Sequence, residues 1–386
     1  MKILLLNDGQ KFNNWGIQST TQSLRKILQQ LYTDGVEFSS LPHSLFVKKY
    51  RFDPEIFGKK IFNRNSRLKK YLGEVINLPI YADEISHVEE YWLSCKLNSL
   101  EVKIKSMIQN ADLVVFNAEG SVYRSNKSAI TGLFLLYLAG KMRKSTLFCN
   151  GSFSISNQDN ILESYVRQTI PNIDHILIRE PVSFRDFGRH FEHSGVHMVP
   201  DAVFIEDPLH LAPDRKPQFV ISSSMLPLHR YRSSPHPIEH LIETIKVSFN
   251  LEPIIACIDT EDKYLEHIAK RNQWCILNEN NSIDDIRSEI AHSKFILSGR
   301  YHHLIYGILE ATPVIALNTT SQKITGLIEL CGLDQKVHDP LSIFQNQETI
   351  LQDIAYVLAN QEVISTKLRE KTNWIKKQLD GYNVIV

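Results

Sequence analysis

The stretch SKFILSGRYHHLIYGILEATPVIALNTTSQKITGL, residues 293–327, contains two short apolar runs with a helical pattern between them. The first run, KFILSG, ends at a Ser-Gly pair and is followed at once by Arg300, His302 and His303. Apolar residues then recur at spacings of three and four, as on one face of a helix, until the second run, PVIALN. This order predicts a strand–helix–strand unit whose two strands are parallel.

Apolar runs of the same kind recur along the chain. Each is nearly continuous rather than alternating, which is typical of strands buried on both faces of a helix-covered parallel sheet. The others are KILLLND (2–8), DLVVFN (112–117), STLFCNG (145–151), HILIRE (175–180), VHMVPD (196–201), QFVISSS (218–224), EPIIACID (252–259) and WCILNE (274–279). We therefore predict an α/β fold with two doubly wound Rossmann-like domains that face each other across a cleft.

The chain divides at IEDPLHLAPDRKP (205–217), which carries three prolines and several charges and suits a linker. We predict an N-terminal domain over 1–205, a C-terminal domain over 218–360, and a terminal helix in 361–386 that packs back on the first domain. A basic and aromatic insert at about 42–100 interrupts the first domain. This insert either holds the acceptor, since aromatic faces stack on sugar rings, or forms a solvated helical hairpin.

Composition excludes several classes of function. Hydrophobic residues make up 43% of the 386 residues and charged residues 22%, and the formal net charge is zero, so bulk charge predicts no nucleic-acid partner. The five cysteines are scattered without a CxxC pair, and four of them lie inside or beside apolar runs, which predicts buried thiols at those four rather than a zinc site or a disulfide framework. No apolar stretch reaches the length of about 20 residues that a membrane span needs. We expect a cytoplasmic protein; contact with the inner face of a membrane or with a lipid-linked sugar stays open, as does the oligomeric state.

Polar side chains gather where the predicted strands end. In an open parallel sheet, ligands bind outside the carboxyl ends of the strands, so these side chains are expected to line one cleft. The second domain contributes Ser298, Gly299, Arg300, His302, His303, Asn318 and Lys323. The first domain contributes Asn14, Gly16, Glu119, Gly120, Ser121, Asn150, Gly151, Ser152, Arg179 and Asp201.

The residues after Gly299 are suited to binding an anion. A helix that starts there exposes backbone N–H groups, and Arg300 adds a planar fork of donors, so a phosphate or carboxylate is the expected ligand. His302 can donate to the same anion or transfer a proton. Adjacent helical residues point about 100° apart, so only one of the two histidines should face the cleft. The alternative is that Arg300 pairs with a carboxylate structurally and the histidines fill polar space.

Other motifs are weaker. No GxGxxG or GxxxxGK[ST] follows the first strand, and the Ser/Thr-rich run from Ser19 is expected to cap the first helix. The run CIDTEDKYLEH (257–267) gathers acids that either bind a metal or begin a helix. Because no HExxH or comparable spacing is present, no metal is expected.

Taken together, these segments resemble the polysaccharide pyruvyl transferase family. The resemblance lies in NNWGIQSTTQSL (13–24), ADLVVFNAEGSVY (111–123), ILIREPVSF (176–184), VPDAVF (199–204) and the block SGRYHHLIYGILEATPVIALNTTSQKITGLIELCGL (298–333). Ile17 stands where the family often has an acid, and Ala118-Glu119-Gly120-Ser121 replaces a Gly-Glu-Gly-Thr turn. The likeness covers about residues 1–35 and 110–335 and leaves the insert uncovered.

The resemblance implies transfer of the enolpyruvyl unit of phosphoenolpyruvate to a sugar of a surface polysaccharide or its precursor. The product is a pyruvate ketal, the fold is similar to glycosyltransferase-B enzymes, and no cofactor is needed beyond phosphoenolpyruvate as co-substrate. By this resemblance Arg179 and Arg300 hold the carboxylate and phosphate of the donor, and His302 acts at the reacting carbon. Glu119 or Asp201 could take a proton from the attacking hydroxyl. Two alternatives are a glycosyltransferase that uses a nucleotide-activated sugar and a non-catalytic sugar-binding relative.

Overall fold

Two all-parallel β-sheets, one in each half of the chain, organise this computed structural model. The predicted α/β fold class is confirmed. The structure describes residues 1–12, 14–47, 85, 89, 92, 97, 99–123, 127–154, 160–209, 215–223, 237–258, 262–319, 321–340, 343 and 347–386. The greater part of the predicted insert and the middle of the predicted linker lie outside these residues.

The first sheet has six strands in the order β2-β1-β3-β4-β5-β6. Five of them were predicted as apolar runs. Its strands are β1 (Lys2–Asp8), β2 (Glu37–Pro42), β3 (Leu113–Tyr123), β4 (Ser145–Ser154), β5 (His175–Ile178) and β6 (Val196–Met198). Strand β2 was not predicted because its residues, EFSSLP, do not form an apolar run. The strand lies at the edge of the sheet, where most of these residues are not fully buried.

Strands β3 and β4 run further than predicted. Their register shifts between Asn117 and Gly120, after which Gly120 pairs with Gly151 and the next residues continue the ladder. Gly120 has a φ of +138°, which a residue with a Cβ rarely adopts, and this allows the bulge. The polar residues 119–121 and 150–152, predicted to follow these strands, therefore lie within them.

The second sheet has five strands in the order β11-β10-β7-β8-β9, all at predicted positions but shorter than the apolar runs. They are β7 (Gln218–Ser222), β8 (Glu252–Ala256), β9 (Cys275–Leu277), β10 (Ile296–Ser298) and β11 (Val314–Ala316).

Helices cover both sheets. In the described part of the first domain they are α1 (Trp15–Leu31), α2 (Ser44–Val47), α3 (Ser99–Asn110), α4 (Lys127–Lys141), α5 (Asn160–Thr169) and α6 (Pro181–His190). In the rest of the chain they are α7 (Pro237–Phe249), α8 (Lys263–Arg271), α9 (Ile283–His292), α10 (Tyr301–Leu309), α11 (Lys323–Leu330), α12 (Glu348–Ala359) and α13 (Gln361–Gln378). Among the described helices, none combines the length and apolar character that crossing a membrane requires.

The apolar core is continuous across the two domains. One cluster fills one face of the first sheet, whereas the other face shares a single cluster with the whole second domain. Trp15 at the start of α1 belongs to this shared core, and its indole N–H donates to the carbonyl oxygen of Asn281, 2.8 Å away. Tyr306 of α10 donates from its hydroxyl to the Trp15 carbonyl oxygen at 3.1 Å. Burial of this apolar surface fixes α1 against α10.

The C-terminal segment contacts both domains. Thr372 of α13 donates to the carbonyl oxygen of Ile308 in α10 at 3.1 Å. Beyond α13, a 3₁₀ segment at Leu379–Ile385 reaches the first sheet, where the Tyr382 hydroxyl donates to the Asn150 side-chain oxygen at 3.2 Å. The end of the chain therefore ties the two domains together.

Candidate active site

The candidate site lies where the strand order reverses in each of the two parallel sheets. Strand β1 has β2 on one side and β3 on the other, and β7 lies in the same way between β8 and β10. Ligands of doubly wound sheets bind at the carboxyl ends of strands beside such a switch point. The segments after β1 and β10 are the N-termini of α1 and α10, and these two helices contact each other across the domain boundary.

His302, in the first turn of α10, is surrounded by first-domain side chains. Its Nε2 lies 2.8 Å from the hydroxyl of Thr20 on α1 and 3.6 Å from Oδ2 of Asp201. Its Nδ1 lies 3.7 Å from Oε1 of Glu119 on β3. The imidazole therefore belongs to the second domain by sequence but to a site that both domains build.

Gly16 makes this approach possible. A methyl group added at Gly16 would lie 2.7 Å from Cγ and 3.0 Å from Cβ of His302, and closer still to Nδ1. Asn14 caps α1 by accepting from the Ile17 N–H at 3.2 Å, so it sets where the helix starts. Because Asn14 is the cap, the Ser/Thr-rich run from Ser19 lies inside α1, and the prediction that it caps the helix is wrong.

The two carboxylates beside His302 differ in their ionisation. Burial would raise the pKa of Asp201, but the hydrogen bond and charge of His302 and the charge of Arg179 bring it down to about 2. Burial raises the pKa of Glu119, although the charges of His302, Arg179 and Lys323 oppose that rise. Asp201 is therefore a fixed negative charge near neutral pH, whereas Glu119 binds a proton more readily than an exposed glutamate.

Arg179 supports Asp201 from inside the first domain. The guanidinium donates from Nη1 to Asp201 at 2.9 Å and from Nε to the Ser152 hydroxyl at 3.0 Å, and it stacks 3.9 Å from the ring centre of Tyr301. The side chain is only 1% exposed. Direct contact with a donor, as expected from the sequence, does not agree with this burial. In this structure Arg179 holds a carboxylate of the site.

Arg300 is paired as well. Its Nη2 donates to Oδ1 of Asp262 at 2.7 Å, and Asp262 also accepts from the Ile258 N–H at 3.1 Å and from the Ser223 hydroxyl. The ion pair with a carboxylate that was considered for Arg300 is thus present, and the sequence analysis did not identify its partner, Asp262, although this residue lies in the acidic run 257–267. That run offered the signal, since acids after a strand lie at the ligand-binding edge. Arg300 itself is 8% exposed.

Lys323 reaches the first domain because α11 packs on α6. Gly326 lies against Glu180, where an added methyl group would be 2.5 Å from the carboxylate carbon, and Glu329 pairs with Arg185 at 2.5 Å and 2.7 Å. Burial, followed by the charge of Arg179, lowers the pKa of Lys323 to about 8. No described residue hydrogen-bonds to its Nζ, so this cation is available to a ligand.

His303 does not share the surroundings of His302. Its ring is fully buried between Trp15 and Tyr306, with centroid distances of 5.7 Å and 6.3 Å. Neither ring nitrogen has a hydrogen-bond partner among the described residues, and burial lowers its pKa to about 3. His303 was predicted among the residues of the cleft, but helical phase directs its ring into the domain interface, so of the two histidines only His302 faces the site.

The remaining predicted residues stabilise the strand ends. Ser298 bonds to the Ser222 hydroxyl at 2.6 Å and accepts from the Arg300 N–H at 2.9 Å. Asn150 donates to the Asn117 side-chain oxygen at 3.0 Å and accepts from the Ala202 N–H at 2.9 Å.

The other predicted residues make local contacts. The Gly151 carbonyl accepts from the Arg179 N–H at 3.2 Å, and the side-chain oxygen of Asn318 accepts from the Thr319 N–H at 2.9 Å. Ser121 lies in β3 opposite Ser152, and Gly299 connects β10 to α10.

Comparisons with known proteins agree with this architecture. A family model described as polysaccharide pyruvyl transferase matches residues 20–321. No curated protein matches the chain. Among solved structures, UDP-GlcNAc 2-epimerase from Methanocaldococcus jannaschii is similar with a TM-score of 0.52 and 11% identity, over 93% of each chain.

The structures of two transferases are similar to this chain to about the same extent. Spinosyn rhamnosyltransferase SpnG has a TM-score of 0.51 and 12% identity, over 98% of this chain and 96% of that chain. The O-GlcNAc transferase of Thermobaculum terrenum has a TM-score of 0.50 and 11% identity, over 100% of this chain and 67% of that chain. Such identities show the fold alone, which is that of glycosyltransferase-B proteins with two Rossmann-like domains.

Proposed function

Because the chain belongs to the polysaccharide pyruvyl transferase family, we propose that it transfers the enolpyruvyl group of phosphoenolpyruvate to a sugar and forms a pyruvate ketal. The acceptor would be a surface polysaccharide or its precursor. The observation that carries the proposal is His302, held between an ionised and a protonatable carboxylate at the edge where Arg300 and Lys323 also lie. Such an arrangement would support both proton transfer and anion binding.

The proposed reaction needs both proton transfer and anion binding. The donor gains one proton at its methylene carbon, which makes the neighbouring carbon electrophilic, and a sugar hydroxyl attacks there. The bond between that carbon and the bridging oxygen breaks, phosphate leaves, and a second hydroxyl closes the ketal. The two hydroxyls lose two protons; one ends on the new methyl group and one leaves with phosphate, so the reaction needs no net acid or base.

Residues of this chain match those steps. His302 would deliver the proton to carbon, and Glu119 would accept the proton of the attacking hydroxyl. Lys323, Arg300 and the N-terminus of α10 would bind the donor anion, whose charge of about three negative units needs several donors. Asp201 and Arg179 would hold His302 and Glu119 in place without touching the donor.

Donor binding tests the proposal directly. We expect calorimetric titration with phosphoenolpyruvate to give saturable binding, whereas nucleoside diphosphates and nucleotide sugars bind more weakly. Binding of a nucleotide sugar but not of phosphoenolpyruvate would identify a glycosyltransferase instead and overturn the proposal.

Isotopic labelling tests the bond that breaks. With oxygen-18 in the bridging position of phosphoenolpyruvate and a panel of glycosides bearing free 1,2- or 1,3-diols, the released phosphate should carry the label in phosphorus NMR. Unlabelled phosphate would mean cleavage between phosphorus and oxygen, which ketal formation does not allow.

The substitution Arg300→Lys tests the anion site. The charge is kept but the planar fork that serves both Asp262 and an anion is lost, so we expect kcat/KM for phosphoenolpyruvate to fall at least about tenfold. The rate of phosphate release at varied phosphoenolpyruvate and saturating sugar acceptor gives this kcat/KM. The matched control is Arg185→Lys, which alters an exposed arginine paired with Glu329 and should leave kcat/KM nearly unchanged. Wild-type kinetics in Arg300→Lys would remove Arg300 from the donor site.

A further inference from the structure

Thr20 is a buried threonine of α1 whose hydroxyl has two polar neighbours. Its Oγ1 lies 2.8 Å from Nε2 of His302 and 2.7 Å from the carbonyl oxygen of Gly16, and the residue is completely buried. A threonine hydroxyl has a single proton to donate. The acceptor that receives this proton therefore decides which nitrogen of His302 carries a hydrogen.

The Gly16 carbonyl can only accept, and it stands four residues before Thr20, where threonine hydroxyls in helices commonly bond. Because Thr20 donates its only hydroxyl proton to that carbonyl, its Oγ1 must accept from Nε2 of His302. Asp201 supports the same assignment. Its Oδ2 is 3.6 Å from the same nitrogen and accepts from Arg179 at 2.9 Å, and its Oδ1 accepts from the Val203 N–H at 3.1 Å, so this carboxylate presents acceptor oxygens. Both neighbours of Nε2 are thus acceptors, so Nε2 carries a hydrogen.

We propose that Thr20 is a positioning residue that, together with Asp201, holds His302 in the Nε2–H form and leaves Nδ1, which faces Glu119, as the nitrogen that exchanges the proton of the reaction. The assignment of the hydrogen concerns the free protein. Only the use of Nδ1 in turnover rests on the proposed pyruvyl transfer. Gly16 fits the same scheme, because its carbonyl takes the Thr20 proton and its missing side chain admits the ring.

Protons balance through Nδ1 and Glu119. The protonated Nδ1 gives its proton to the methylene carbon of the donor, and the attacking hydroxyl gives its proton to Glu119. Oε1 of Glu119 lies 3.7 Å from Nδ1, so a small movement or one bridging water returns that proton to the ring. The proton of the second hydroxyl leaves with phosphate, and the site ends in its starting state.

The direct test is the tautomer of His302 in the free protein. In protein labelled with nitrogen-15 histidine, long-range proton–nitrogen correlations distinguish the two neutral forms, and the signal absent from His302→Gln identifies the residue. We expect the Nε2–H pattern in the neutral ring. The Nδ1–H pattern in the neutral ring would overturn the proposal.

Substitutions at Thr20 test the positioning role. Thr20→Val keeps the shape but removes the acceptor, so we expect kcat to fall on the order of 10- to 100-fold, KM for phosphoenolpyruvate to change much less, and the His302 signals to shift. Thr20→Ser keeps the hydroxyl and should restore most of kcat and the wild-type signals. A Thr20→Val protein with wild-type kcat and unshifted signals would overturn the role.

This inference and the proposed function can fail separately. A protein that binds no phosphoenolpyruvate but shows the Nε2–H pattern would contradict pyruvyl transfer and still support the assignment of the hydrogen.

Discussion

Replacing His302 with glutamine is expected to lower kcat for phosphate release from phosphoenolpyruvate by about 10²- to 10⁴-fold, the usual contribution of a general acid–base group. Glutamine keeps a hydrogen-bonding group near Thr20 and Asp201 but cannot transfer a proton at neutral pH. Donor binding should survive, because Arg300, Lys323 and the N-terminus of α10 remain. Steady-state kinetics together with calorimetric titration of the donor separate these two effects.

The neighbouring histidine provides the control. His303 is fully buried between Trp15 and Tyr306 and lacks hydrogen-bond partners among the described residues, so His303→Phe keeps an aromatic ring there and removes two unsatisfied polar atoms. We expect its kcat to stay within about a factor of ten of wild type. Equal losses at the two positions would mean that the effect is structural, and near-normal turnover in His302→Gln would exclude this imidazole from the chemistry.

The second large effect is expected for Gly16→Ala. The added methyl group would overlap the imidazole of His302, so the ring must move away from Thr20 and Glu119. Displacing a reacting group by about 1 Å can cost on the order of 100-fold in rate, and we expect kcat to fall by about that factor. Because the two domains share one core here, the forced movement of His302 should also lower the melting temperature in thermal unfolding.

Gly188→Ala is the matched control for this substitution. Gly188 also lies in a helix, α6, and a methyl group built there meets nothing within 4 Å. Alanine stabilises a helix over glycine by about 0.5–1 kcal/mol, so the free energy of unfolding of Gly188→Ala should rise by about that amount without loss of activity. If Gly16→Ala matches Gly188→Ala in both stability and kcat, the close approach of His302 to α1 is not a requirement of the site.

The sequence alone determined the architecture and the edge at which the site lies. Buried parallel strands require continuous apolar runs, and ten of the eleven strands carry that signal; only β2, at an edge, does not. Arg300 and His302 follow an apolar strand directly, and chain direction in a parallel sheet leaves one edge for them to occupy. The resemblance to pyruvyl transferases rests on the same local segments, and the family match agrees with it.

Tertiary structure decided which side chains meet and in what state. Asp262 pairs with Arg300 and Thr20 bonds to His302 although long stretches of chain separate them, and sequence periodicity carries no information about such partners. Likewise, Arg179 follows a strand as predicted, but the surrounding packing buries it on Asp201 and gives the two carboxylates beside His302 opposite pKa shifts. Local pattern fixes the direction of strands and the phase of helices; burial, which sets the protonation and accessibility of each group, arises only when the two domains pack together.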